Sequence, residues 1–149
     1  MRGWVRFCLA ALLVLAAASA VGVLVLRAQA LPNDVCPVVW DKETCGECGM
    51  AVSEPRFAAQ LQTRHGQVIN FDDPGCLFIY LLRRDPPVHA VYFHPQDGEG
   101  WLDVERVGFA ATHTSPMGYG LMAVPRGTPG SLSFAEALEK MRRRERGEE

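Results

Sequence analysis

Apolar positions along this chain are patterned in two ways: one long unbroken run, then a series of short ones. From Phe7 to Leu26 no charge interrupts a stretch rich in Ala, Leu and Val. At about twenty residues it is long enough to span a bilayer. Beyond it the runs shorten. Phe57–Thr63 and Gln67–Phe71 predict two short strands joined by a turn at Arg64-His65-Gly66. In Phe71-Asp72-Asp73-Pro74-Gly75, Asp73 is placed to cap a helix whose first residue is Pro74. That helix is expected from Pro74 to about Arg84. It is apolar nearly all round through Cys76, Leu77, Phe78, Ile79, Tyr80, Leu81 and Leu82, so it belongs in a core. Asp85-Pro86-Pro87 ends it.

Val88–His94 is rich in β-formers, and Trp101–Thr114 suits a short helix or a strand equally. Thr114–Gly120 is a loop by its proline and glycines, and Leu121–Val124 is a short strand. Ser133 and Glu136 form a capping box, with Phe134, Ala137, Leu138 and Met141 on one face of a last helix. The order predicts a small α+β domain, and a duplicated strand-strand-helix unit fits the spacing.

The chain divides into a targeting segment at 1–30, an extended linker at 31–44, the domain at 45–141 and a charged tail at 142–149. Arg2 and Arg6 precede the apolar run, and Ala28-Gln29-Ala30 fits a small-x-small cleavage pattern. Whether this segment is a cleaved signal peptide or a retained membrane anchor, the positive flank stays inside and residues from about Leu31 lie outside. The domain is thus expected in the periplasm or on the outer face of the cytoplasmic membrane. Neither Cys8, early in the run, nor Cys36 stands where lipid acylation would need a cysteine.

Composition adds exclusions. An apolar content of 48% and a charged content of 21% are those of a globular protein. The formal charge of −2 argues against a nucleic-acid partner. Without residues 1–30 the chain keeps all its acidic groups and loses Arg2, Arg6 and Arg27, becoming more acidic. No nucleophile elbow, phosphate loop or dinucleotide fingerprint is present, and no enzymatic activity is expected.

The chemistry centres on Cys45-Gly46-Glu47-Cys48-Gly49-Met50. Two thiols at this spacing on a tight loop converge on one ion, act as a redox pair, or close an inert disulfide. Met50 adds a thioether, and Met117 offers another from a Pro-Met-Gly loop. Thiolate with thioether favours Cu(I), a soft ion matched by soft ligands. Cys45, Cys48, Met50 and Met117 are the candidate ligands on this chemistry, with His113 and Asp73 behind them. His113 lies four residues before Met117, and Asp73 could offer oxygen, although capping explains it without a metal.

Cys36, Cys45, Cys48 and Cys76 form an even set beyond the targeting segment, so a zinc-stabilised binding module is a further reading. Cys76 falls at a helix start, where the dipole favours a thiolate, but a small buried apolar residue is the simpler account of it. A thiol–disulfide oxidoreductase would need a helix starting inside the Cys45–Cys48 motif, which Gly49 opposes.

Three segments together resemble a known family. Cys45–Val52 with Phe57-Ala58-Ala59-Gln60, then Phe71–Cys76, then Ser115-Pro116-Met117-Gly118-Tyr119-Gly120, resemble the NosL family, copper-delivery accessory proteins of nitrous-oxide reductase. The resemblance spans about Cys45 to Met141. It implies a compact fold of two similar strand-strand-helix halves, Cu(I) binding, and delivery to nitrous-oxide reductase or its maturation machinery in denitrification. Carried over residue by residue, it falls best on Cys48, Met50 and Met117. Members are typically lipoproteins, from which this chain departs. A homodimer is left open.

Overall fold

The computed structural model describes residues 2–28 and 30–148, with the side chains at 2, 5, 7, 10 and 26–28 left aside. Two compact units result, Met1–Leu31 and Pro32–Glu149. The first is a helix, α1 (Arg2–Ala28), carrying the long apolar run, with Leu12, Leu13 and Val14 exposed. Among the described residues no helix is long and apolar enough to cross a membrane. The run in the sequence includes positions 7, 10 and 26, whose side chains are not described. Gln29, inside the expected cleavage pattern, lies outside the described residues.

The second unit is α+β. A single 3-10 turn (Pro55–Phe57) leads into β1 (Ala59–Thr63) and β2 (Val68–Phe71), followed by α2 (Pro74–Arg84). Then come β3 (Val88–Phe93), β4 (Leu102–Asp103), β5 (Val107–Ala111), β6 (Leu121–Pro125) and α3 (Phe134–Glu145). The first four strands form one antiparallel sheet in the order β2-β1-β3-β4, while β5 and β6 form a separate hairpin. A strand-strand-helix unit therefore opens the domain (β1-β2-α2) and another closes it (β5-β6-α3). β3 and β4 stand between them and extend the first sheet. The ambiguous stretch at 101–114 resolves into β4 and β5. α3 runs through Glu145, so the first residues of the segment expected as a tail are helical.

All five residues of β1 are buried, which explains why Gln60 and Gln62 break the apolar pattern. Asp34 and Cys36 of the linker lie along this strand and partner both amides, although Gln62 Oε1 stays buried with no hydrogen-bond partner among the described residues. The Cys36 N–H donates to Gln60 Oε1 at 2.8 Å, and Gln60 Nε2 donates to the Cys36 carbonyl at 2.9 Å. Gln62 Nε2 donates to the Asp34 carbonyl at 2.8 Å. Buried amides need such partners, and a neighbouring backbone supplies them.

The helices form as the sequence dictates. Asp73 caps α2, accepting the Gly75 N–H at 2.7 Å, with Pro74 in the first turn where its missing N–H costs nothing. Ser133 and Glu136 make a reciprocal capping box on α3. The core closes around Phe78, whose ring lies 5.1 Å from Phe109, 5.2 Å from Phe134 and 5.8 Å from Phe93. One α2 side chain thereby joins β3, β5 and α3.

Candidate metal centre

The Cys45–Met50 segment is a knuckle closed by backbone pairing. Thr44 bridges Ala51, the Cys45 N–H donates to the Met50 carbonyl at 2.7 Å, and the Gly49 N–H donates to the Cys45 carbonyl at 3.0 Å. Gly49 supplies the left-handed turn with φ of 75°. The Gly46 N–H ties the knuckle to the first sheet through the Asn70 carbonyl at 2.9 Å. A Cβ at position 46 would stand 2.3 Å from Ile69 Cγ2, so the close approach requires glycine. Residues 46–48 form a turn and not a helix, which removes the geometry that the oxidoreductase reading needs.

A third thiol meets the knuckle from α2. Pro74 opens that helix, so Cys76 is its third residue, fully buried, facing Cys45 and Cys48. The three Sγ atoms lie within 4.8 Å of one another. None of the five cysteines is in a disulfide.

These thiols are not equivalent. Cys45 is lowered from 9.0 to about 5, first because the Cys76 thiol donates to it. Backbone N–H groups of Cys48, Asp72 and Glu47 add to this, against the cost of burial. Cys76 is pushed far up, because its proton is the one shared with Cys45 and because it is buried. Burial also raises Cys48, partly offset by the Met50 N–H. The cluster thus holds one thiolate, stabilised by N–H donors that two separate segments aim at the same sulfur.

Two carboxylates frame the sulfurs. Glu47, between the two knuckle cysteines, accepts from Arg83 at 2.7 Å, and Arg83 also meets Glu145 of α3 at 2.8 Å. Its other oxygen, Oε2, is buried with no hydrogen-bond partner among the described residues. Asp73 uses both oxygens structurally: Oδ1 caps α2, and Oδ2 accepts the Met117 N–H at 3.0 Å. Burial raises its pKa, although those N–H donors pull the other way. It ties the Pro-Met-Gly loop to the start of α2. The Tyr119 ring of that loop packs directly on Gly75, where a Cβ would come within 2.2 Å of it.

The sequence-derived ligands are therefore distributed unevenly. Cys45 and Cys48 are in the sulfur cluster. Met50 follows on the knuckle and is 52% exposed, while Met117 is half-buried against the core. Asp73 serves as cap and tie. His113 is exposed and lines a separate cavity with Lys140 and Arg144. Cys36 is absent from the sulfur cluster and sits beside Gln60 and Gln62, so the four-cysteine zinc arrangement is not assembled. Cys76 is the residue that sequence reasoning passed over as apolar filler. The Asp-Pro-Gly-Cys order already placed it on the first turn of a capped helix, and the even cysteine count gave the same hint.

No protein-family model matches the chain, and no curated protein matches it. Among solved structures the chain is similar to the crystal structure of the copper chaperone NosL from Shewanella denitrificans. The two are 20% identical, with a TM-score of 0.49, over 76% of this chain and 89% of that one.

Proposed function

We propose that this chain is an extracytoplasmic metallochaperone that binds Cu(I) and delivers it to the maturation of nitrous-oxide reductase. One observation carries the metal reading: three cysteine sulfurs within 4.8 Å of one another, drawn from a glycine-shaped knuckle and a capped helix start. Among the described residues no histidine or carboxylate joins that group. Structural zinc takes four ligands, whereas Cu(I) is satisfied by a few soft ones. Met50 and Met117, on the two segments flanking the cluster, supply thioethers that suit Cu(I) and suit zinc poorly.

The delivery step rests on the resemblance of the Cys45–Val52, Phe71–Cys76 and Ser115–Gly120 segments to the NosL family. Export and membrane attachment rest on the apolar run of α1, whose exposed leucines and valines favour a bilayer over water. Transfer proceeds by ligand exchange. Cys45 is a thiolate before the metal arrives, and Cys76 gives up its proton as the metal binds. Cys48 and exposed Met50 lie on the outer side, where an acceptor's ligands can replace them one at a time.

Competition against a colorimetric Cu(I) chelator tests this. The reduced chain should bind about one Cu(I), and Cys45→Ser, Cys48→Ser and Cys76→Ser should each weaken it by about tenfold or more. Met50→Ala and Met117→Ala should weaken it less and speed release. Unchanged affinity in the triple cysteine variant would reject the site.

A further inference from the structure

Arg83 reaches the sulfur knuckle from the far end of α2. It stands seven residues beyond Cys76, two turns on, so both project from one face of the helix. Cys76 meets the sulfurs of Cys45 and Cys48. Arg83 Nη1 donates to Oε1 of Glu47, which lies between those two cysteines in sequence, at 2.7 Å. One face of α2 therefore grips the knuckle twice, through sulfur and through charge. Arg83 is held in turn by α3, its Nε and Nη2 donating to the two oxygens of Glu145 at 2.8 and 3.1 Å.

The two partners of this ion pair sit in different surroundings. The Glu47 side chain is 9% exposed and that of Arg83 is 56% exposed, so the acid is inside and its cation is largely in water. Arg83 engages one carboxylate oxygen. The other, Oε2, is buried with no hydrogen-bond partner among the described residues. A buried carboxylate oxygen left without a donor is costly, which makes it a strong candidate acceptor for a cation. The backbone of the same residue already serves the sulfurs, its N–H donating to Cys45 Sγ. Yet the carboxylate stands outside the set of ligand atoms within 4.8 Å of one another, which holds the three sulfurs alone.

We propose that Arg83 withholds Glu47 from the sulfur site, and that this ion pair keeps divalent ions of the zinc class from completing a four-ligand shell there. The inference rests on the reading of the three sulfurs as a metal site and names what sets its selectivity. Zinc takes four ligands, carboxylate oxygen among them, and the cluster supplies three. Glu47 is adjacent to Cys48 and two residues from Cys45, so its carboxylate is the nearest source of a fourth. It must break the Arg83 pair before it can turn to the metal. Cu(I) is satisfied by soft sulfur and has no need of the oxygen. The pair thus leaves the cuprous site complete and denies the dication its last ligand, which is selectivity by exclusion.

The test uses the full, reduced, metal-free chain in nonionic detergent. It is titrated with Co(II), a spectroscopic stand-in for zinc, and with Zn(II) against a chromogenic chelator. Arg83→Gln should bind both ions about tenfold tighter than the unaltered chain, the size expected when one side chain near a metal changes its role. It should also show the intense visible bands of a tetrahedral Co(II) centre. Adding Glu47→Gln to Arg83→Gln should cancel the gain, because an amide does not replace a carboxylate ligand. Arg83→Lys keeps the pair and should behave as the unaltered chain. Arg84→Gln removes the same charge one residue away, from an arginine stacked on Tyr80, and should give no gain.

No gain in Arg83→Gln, an equal gain in Arg84→Gln, or a gain that survives in the double variant overturns the proposal. A gain confined to Arg83→Gln in a chain that takes no Cu(I) would sustain the withheld ligand and defeat the metallochaperone reading. A chain that takes Cu(I) but shows no such gain would do the reverse.

Discussion

Cys45 is the residue on which most of the local chemistry converges. Its sulfur receives the Cys76 S–H and the N–H groups of Glu47, Cys48 and Asp72, and its pKa falls to about 5. In the unfolded chain those donors are gone, and the thiol returns to its ordinary value of 9.0. The folded state then binds fewer protons across that window, so stability gained through Cys45 grows as pH rises from about 5 towards the unfolded value. It is lost again as pH falls through about 5. Cys76 and Cys48 are raised, so their contributions are intact below the unfolded value and decline above it. Urea unfolding of the reduced chain should therefore show stability climbing from pH 5 to a maximum near the ordinary thiol range. Cys45→Ala should flatten the climb. A climb that persists in the variant would place its origin in other groups.

At the scale of elements, the first turn of α2 does two jobs that mutation can separate. Asp73→Ala removes the cap of α2 and the acceptor of the Met117 N–H together. It should cost more than the ~1 kcal/mol typical of a lost cap, and should also weaken Cu(I) binding by loosening both Cys76 and the Pro-Met-Gly loop. Ser133→Ala, which opens the capping box of the distant α3, should cost ~1 kcal/mol in thermal unfolding and leave Cu(I) affinity alone. Equal effects on the metal would mean that affinity simply tracks global stability. Phe78→Ala, by emptying the space where β3, β5 and α3 meet, should cost ~3–5 kcal/mol.

For the whole molecule, legibility in the sequence followed the range of the interactions. The caps at Asp73 and Ser133 and the turn at Arg64–Gly66 are set by near neighbours and stand where the residue pattern predicts them, whereas α2, expected buried through Leu82, is fully buried only from Pro74 to Ile79. β3 joining β1 depends on contacts between distant segments that no local pattern records. So does the linker pinned to Gln60 and Gln62, two polar residues that made β1 look less buried than it is. The sulfur cluster divides in the same way. Cys45 and Cys48 are legible as a pair, being adjacent on one loop. Cys76 becomes their partner only when α2 packs beside the knuckle, and until then its apolar neighbours make it look like filler. Asp73 is read from the sequence as a cap or a ligand, and the structure uses it as a cap with a second tie to Met117.

The contact of the Tyr119 ring on Gly75 has a consequence for descent. The ring at 119 forbids a side chain at 75, since a methyl group there would overlap a ring that comes from the opposite half of the chain. Lineages that keep the ring should keep the glycine, and those that gain a side chain at 75 should first have lost the aromatic at 119. The two sites are expected to drift as a pair, in that order of events, leaving a correlated signature across relatives.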